Sequence, residues 1–258
     1  MPPLSAVQRS LLALMPALGV RLYTVGEGLW LSAVVIVSST LLLSIAQNVQ
    51  DKRKRGAINI STGLFYAVLL LLLVPLNLPW PLLLSAQLAA LACTYAYGGY
   101  QHAVLHPTML VLAILSLGEV PIEQVQPLAY LLSCCYLLAG VYLCQQGVIA
   151  WQTPLIFVIA SLLCAIWRDG LAVGAIGQWP LLQPQYGLLG WVVLGDCYRT
   201  PCTTLGRCIV AVGAAVLLHY PWPHRLWLYH AAMVLLLFNA ATPLIEQWTR
   251  PKYLGYTR

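Results

Sequence analysis

Charge is what this sequence has least of: 7 acidic and 13 basic residues in 258, or 8% of the chain, against 60% hydrophobic residues. That leaves too little polar surface to cover a water-soluble globule, and the apolar runs recur from end to end, with a mean hydropathy of +0.81. A soluble domain is excluded. So is a nucleic-acid binder, because the net charge of +6 lies in short loops and not on a basic, aromatic-studded face. No C-x-x-C pair occurs among the eight cysteines, so zinc and iron–sulfur sites have no local spacing signature; most of these thiols sit in apolar runs, where cysteine behaves as a small hydrophobe. A hydrolase nucleophile signature and a phosphate-binding glycine loop are also missing. No catalytic side chain and no metal site is therefore nominated. Met1 to Ala17 lacks the basic start and small-residue cleavage site of a signal peptide, and the first apolar stretch is expected to remain as a membrane helix.

What is present is an all-α pattern of apolar segments about as long as a bilayer requires. Helices are expected over 10–24, 28–47, 61–74, 81–95, 108–117, 128–144, 154–167, 186–194, 205–219 and 226–248. The loop 50–57, with Asp51, Lys52, Arg53, Lys54 and Arg55, is the densest charge cluster and should be cytoplasmic. With an inside N-terminus, ten basic residues (Arg9, Lys52, Arg53, Lys54, Arg55, Arg199, Arg207, Arg250, Lys252, Arg258) fall inside and three (Arg21, Arg168, Arg225) outside. This predicts a multi-pass membrane protein, embedded in lipid over 1–258 as one domain, with both termini cytoplasmic.

Two stretches interrupt the apolar chain at membrane depth. The first runs from Tyr97 to Pro107 and holds Gly98, Gly99, His102 and His106; the second runs from Gly195 to Arg207 and holds Asp196, Arg199, Thr200, Pro201, Thr203 and Gly206. Non-helical backbone is tolerated in a membrane only where protein or a water-filled cavity satisfies its polar groups, so two breaks suggest one shared site near the midplane. Gly98 and Gly99 suit either a turn, a close helix contact or a flavin contact. An ionisable residue at this depth marks a pathway or is paired, and Asp196 has Arg199 and Arg207 as partners in reach of sequence. Glu246 has Arg250 four residues on. His102 and His106, also four apart, cannot supply opposite axial ligands to one haem iron, and hydrogen-bonded or interfacial histidines are the better reading for all five.

The order of a basic loop, Y-G-G with a proline eight residues after the second glycine, D-x-x-x-T-P-x-T-x-x-G-R, and Pro243-Leu244-Ile245-Glu246-Gln247-Trp248-Thr249-Arg250-Pro251 resembles the RnfD/NqrB family. Its members are membrane subunits of the Rnf complex and of the sodium-translocating NADH:quinone oxidoreductase, and the resemblance implies a location in the bacterial inner membrane. The resemblance implies about ten transmembrane segments in two inverted five-helix repeats (about 8–118 and 127–250) with broken helices at the midplane, other membrane subunits as partners, and flavin-mediated electron transfer coupled to cation movement. It also implies Gly98, Gly99, His106, Pro107, Thr200 and Thr203 as contacts of a non-covalent flavin (riboflavin or FMN), and Asp196 and Glu246 as the ion pathway.

The chain departs from the family pattern in telling places. The outer loop in which relatives esterify FMN to a threonine is reduced to 118–127 and contains no threonine, so no covalent FMN is expected. Ala103 and His106 stand where the family has asparagines, Cys197 replaces a proline after the aspartate, and Arg199 replaces a small hydroxyl residue. The expected function is an RnfD-like subunit of an electron-transfer complex, not an enzyme on its own. The alternatives are a cofactor-free scaffold in a larger membrane assembly and a small-solute (flavin) transporter.

Overall fold

A computed structural model describes residues 5–26, 30, 33–42, 60–73, 79–97, 105–116, 129–169, 184–196, 198–220 and 227–250. The expectations placed on the 50–57 and 118–127 loops, Gly98, Gly99 and His102 lie outside the described residues. Within them the chain is helical: α1 Ala6–Val25, α2 Ala33–Leu42, α3 Ile60–Leu73, α4 Trp80–Ala96, α5 Pro107–Ser116, α6 Ala129–Gln145, α7 Gln152–Asp169, α8 Pro184–Leu188 running on through a π-turn Leu189–Val193, α9 Thr204–His219 and α10 Trp227–Thr249. No strand occurs among the described residues; an isolated bridge joins Ile149 to Asp196.

The ends of these helices have local causes. Ser5 and Gln8 form a capping box at the start of α1, with Ser5 N–H donating to Gln8 Oε1 (2.9 Å) and Gln8 N–H to Ser5 Oγ (3.3 Å). Gly26, at φ 75°, ends α1 in a conformation that side chains resist. Pro107 opens α5, where its missing N–H has no helical acceptor to lose. Thr203 caps α9 by accepting from Gly206 N–H at 3.1 Å.

Burial gives the chain its class. The α3 sequence ISTGLFYAVLLLLL is apolar nearly all round, as suits a helix enclosed by others, and nearly all of it is buried among α1, α4 and α5. Outer helices have one buried and one exposed face, yet the exposed face is apolar too. On α9 Leu205, Ile209, Val212 and Val216 face outward opposite buried Val210, Ala211, Ala214 and Leu218, and on α7 Leu155, Ile159 and Leu163 repeat the pattern. Water would not tolerate so continuous an apolar exterior; lipid does. Tyr229–Thr249 is long and apolar enough to cross a membrane by itself, and the other apolar helices of 10–17 residues, such as Ala129–Gln145, are shorter. This is an all-α membrane protein.

Close approach of the helices depends on glycine at two contacts. A Cβ on Gly140 of α6 would lie 2.2 Å from Cδ2 of Trp191 in the π-turn, and one on Gly213 of α9 would lie 2.5 Å from Cζ of Phe238 in α10. Gln87 of α4, fully buried, donates to Thr40 Oγ1 of α2 and to Gly63 O of α3, both at 3.1 Å, and so ties three helices with one amide.

Candidate functional site

The second break begins where α8 widens. Leu194 N–H donates to Leu189 O (2.8 Å), an i to i+5 bond that adds a residue to the turn, and the chain leaves the helix at Gly195. Asp196 then organises a compact bend. Its carboxylate accepts from Tyr198 N–H (3.1 Å) and pairs with Arg199 Nη1, while its carbonyl accepts from Arg199 N–H and from Thr200 Oγ1, both at 3.1 Å. Asp196 and Arg199 are both buried, at 7% and 3% exposure. Of the two candidate partners for Asp196 the turn selects Arg199, because Arg207 is already on α9 and donates to Pro201 O (3.0 Å) and Gln152 Oε1 (3.1 Å).

The first break reaches the same place from the other side. His106 lies just before α5 and is 0% exposed, its ring edge-on to Tyr66 of α3 with centroids 6.2 Å apart and planes at 82°. Neither ring nitrogen of His106 has a hydrogen-bond partner among the described residues, nor does the hydroxyl of buried Thr108. The Tyr66 hydroxyl faces the side chains of Thr94 and Arg199, and Arg199 is within Coulombic reach of His106. Tyr66 therefore stands between the breaks and brings His106 into one buried polar cluster with the Asp196–Arg199 pair. Thr242 of α10 closes it by donating to Arg199 O at 3.1 Å.

Thr200 belongs to the Asp196 bend and Pro107 follows His106, whereas Thr203 and Glu246 have surroundings of their own. Thr200 spends its hydroxyl on Asp196 O, and Thr203 spends its own on Gly206 N–H and on Thr249 Oγ1 of α10. Pro107 opens α5, and Glu246 sits near the end of α10, where it accepts from Arg250 Nη2 at 2.9 Å and holds that guanidinium's pKa above its usual value. His219 Nδ1 donates to Ala215 O (2.9 Å) and His230 Nε2 to Leu217 O (2.7 Å), which fixes both as hydrogen-bonded histidines. Thr203→Ala is expected to lower stability by about 1 kcal/mol, the usual worth of an N-cap, read as a lower thermal midpoint in detergent.

Tyr66, Thr94, Thr108 and Thr242 were not nominated from sequence. Each shares its apolar helix with other hydroxyls, Ser61 and Thr62 with Tyr66, Ser85 with Thr94, Ser116 with Thr108 and Thr249 with Thr242, so no signal in the sequence singled them out. Beside Asp196, towards the start of α1, lies a cavity of about 20 Å³ lined by Ser10, Phe65, Val148, Ile149 and Tyr198 among others. It accommodates a water molecule, not a three-ring flavin.

The model of the NQR2, RnfD, RnfE family matches residues 124–255, which include the whole second break. The chain belongs to this family. It is 25% identical to the D subunit of the Na(+)-translocating ferredoxin:NAD(+) oxidoreductase complex of Acetobacterium woodii over 307 aligned residues, covering 98% of this chain and 91% of that one. With the D subunit of the ion-translocating oxidoreductase complex of Halorhodospira halophila it shares 32% identity over 149 residues, or 57% of this chain and 40% of that protein. With the protein of the same name from Salmonella newport it shares 31% over 133 residues, or 48% and 36%. The chain thus aligns with well under two thirds of the length of the latter two.

Proposed function

We propose that this chain is an RnfD-like membrane subunit of an ion-translocating electron-transfer complex. The observation that carries the reading is the alignment along nearly all of both chains with a relative of that kind. The buried cluster at the meeting of the breaks supports it, since ionisable groups kept dry inside a membrane protein are costly and go with transport or redox roles. Its partners are the other membrane subunits of the complex, and donor-side chemistry belongs to them. A tagged chain is expected to co-purify with those subunits in fixed proportion from mild detergent; recovery of the chain alone would overturn the reading.

Helix packing supports two repeats. α1 packs on α3 as α6 packs on α8, and α4 packs on α5 as α9 packs on α10. Gln87 ties α4 to α2 as α9 packs on α7, and across the pairs α1 meets α6 and α5 meets α10. Five helices per repeat make the second run in the opposite sense to the first. The topology has support from exposed rings: Tyr23, Trp30, Tyr130, Trp167 and Tyr220 stand at helix ends assigned to the outer interface, and Trp151 and Trp248 at ends assigned to the inner one.

The residues of the second break do not fit a flavin: the hydroxyls of Thr200 and Thr203 are engaged, and the space by Asp196 takes a water. A non-covalent flavin would be held from the side of Gly98, Gly99, His106 and Pro107. The region 117–128 has no hydroxyl side chain to carry a flavin ester. Acid precipitation of the purified protein is therefore expected to release any flavin into the supernatant and leave a colourless pellet; yellow colour retained in the pellet would contradict this. A cofactor-free scaffold is favoured by one observation, the burial of Asp196, Arg199 and Tyr66 against one another. Absence of flavin from an intact, gently purified complex would select it.

A further inference from the structure

The outward faces of the helices are not alike. On α7, Leu155, Ile159 and Leu163 lie between exposed Trp151 and Trp167, large apolar side chains held between two aromatic anchors, as a lipid-facing helix requires. α1 buries Leu14, Ala17, Leu18 and Arg21 against its neighbours α3 and α6 and turns Leu12, Met15, Pro16, Gly19 and Tyr23 outward. These five form a single stripe about 16 Å long. Pro16 has no N–H, so the carbonyl of Leu12 has no donor one turn on, about half-way along a helix that crosses the membrane. A carbonyl left open to hydrocarbon is costly. Pro243 imposes the same loss on α10, but there it falls on Asn239, which is buried within the protein, whereas Leu12 is 52% exposed.

Gly19 has no use inside the chain. Gly140, Gly190 and Gly213 each make room for a ring from another helix, and Gly26 and Gly147 have positive φ. A Cβ on Gly19 would meet nothing within 4 Å, and its φ is not left-handed. Glycine weakens a helix interior relative to alanine, and what it offers in return is a notch in the exterior where a second helix can come close. Resting on the subunit reading above, we propose that this stripe of α1 docks a transmembrane helix of another subunit of the complex, which sets a Ser or Thr hydroxyl against the Leu12 carbonyl and its backbone against Gly19. The occupant follows from the chemistry of the stripe. Lipid tails bring no donor. A second copy of this chain brings none at the right level, because a two-fold contact through the stripe sets Leu12 against Leu12. The nearby Ser10 hydroxyl already donates to Ala6 O at 3.1 Å, and Tyr23 lies eleven residues further on. A hydroxyl on a partner helix supplies the donor and is short enough for the close approach that Gly19 allows.

The test is photocrosslinking in native membranes that hold the intact complex. Benzoylphenylalanine in place of Met15 is expected to give an adduct with one other membrane subunit, and in place of Ile159 to give adducts with lipid. Lipid adducts alone from residue 15, or an adduct with a second copy of this chain, would overturn the proposal. A second arm uses Gly19→Trp, whose side chain enters space that this chain leaves open. Its thermal midpoint is expected to match that of the unaltered chain, while recovery of the other membrane subunits with it falls about tenfold; Ile159→Trp keeps full recovery. Undiminished recovery with Gly19→Trp, or equal losses in the two variants, counts against docking at α1. The crosslinking result stands whether or not Gly19→Trp folds. An unaltered chain that is recovered alone refutes the subunit reading, whereas one that co-purifies with its partners yet gives only lipid adducts at residue 15 refutes the docking face alone.

Discussion

Arg199→Met is expected to destabilise the protein by about 3–5 kcal/mol, the cost of leaving one member of a buried ion pair without the other. The Asp196 carboxylate would remain in a site only 7% exposed, keeping Tyr198 N–H as a donor but losing the group that cancels its charge. Two ordinary objections fail here. Surface ion pairs are worth little because water screens them, but this pair is sealed by Tyr66, Thr242 and the π-turn. A buried pair is also a poor stabiliser in absolute terms, but the prediction concerns breaking one, and the desolvated charge that remains sets the size of the effect. Asp196→Asn combined with Arg199→Met removes both charges and is expected to recover most of the loss. Thermal midpoints of the two single variants and the double variant in one detergent form a cycle. Costs that simply add would show that the two charges are not coupled, and would sink the account of the second break given above.

The helices were legible because apolar runs in a membrane protein are punctuated by few residues, and here the punctuation is Pro, Gly and short polar groups at helix ends. From α3 to α10 the observed bounds lie within two residues of those expected. The π-turn was not legible. Nothing in Leu189 to Val193 asks for a wider turn; it follows from contacts made elsewhere, with Trp191 lying where Gly140 has no side chain and Phe157 where Gly190 has none. Asp196 and His106 stood out because polar groups in apolar surroundings need a reason. Tyr66 did not, because one tyrosine in a leucine-rich helix reads as core until a second chain segment is seen against its hydroxyl. The choice between Arg199 and Arg207 was equally hidden. Spacing allows both, and only the tight bend after α8 decides that the guanidinium three residues on completes the turn while the more distant one binds Pro201 and Gln152 at the start of α7.

That bend rests on Gly195, and Gly195→Ala is expected to cost about 3 kcal/mol, the upper end of the usual penalty for overpacking. An added Cβ would lie 2.4 Å from the carbonyl oxygen of Trp191 and 2.6 Å from Cγ2 of Ile149. Residue 195 does not require glycine for its φ, so the cost comes from space alone. The decisive neighbour is backbone: a side chain can swing away, but the Trp191 carbonyl belongs to the π-turn and moves only if the turn is rewound. Gly213→Ala provides the control, because its first obstacle is the far end of the Phe238 ring, Cζ at 2.5 Å, which can tilt. It should cost about 1 kcal/mol. Equal losses of thermal midpoint would mean that the π-turn rewinds easily and does not hold the break in place. Because Asp196 follows Gly195 directly and bridges to Ile149, rewinding would also carry the carboxylate away from Arg199. If the chain serves an ion-translocating complex as proposed, Gly195→Ala should therefore impair that complex's activity more than its loss of stability alone would explain, while Gly213→Ala should lose the two in proportion.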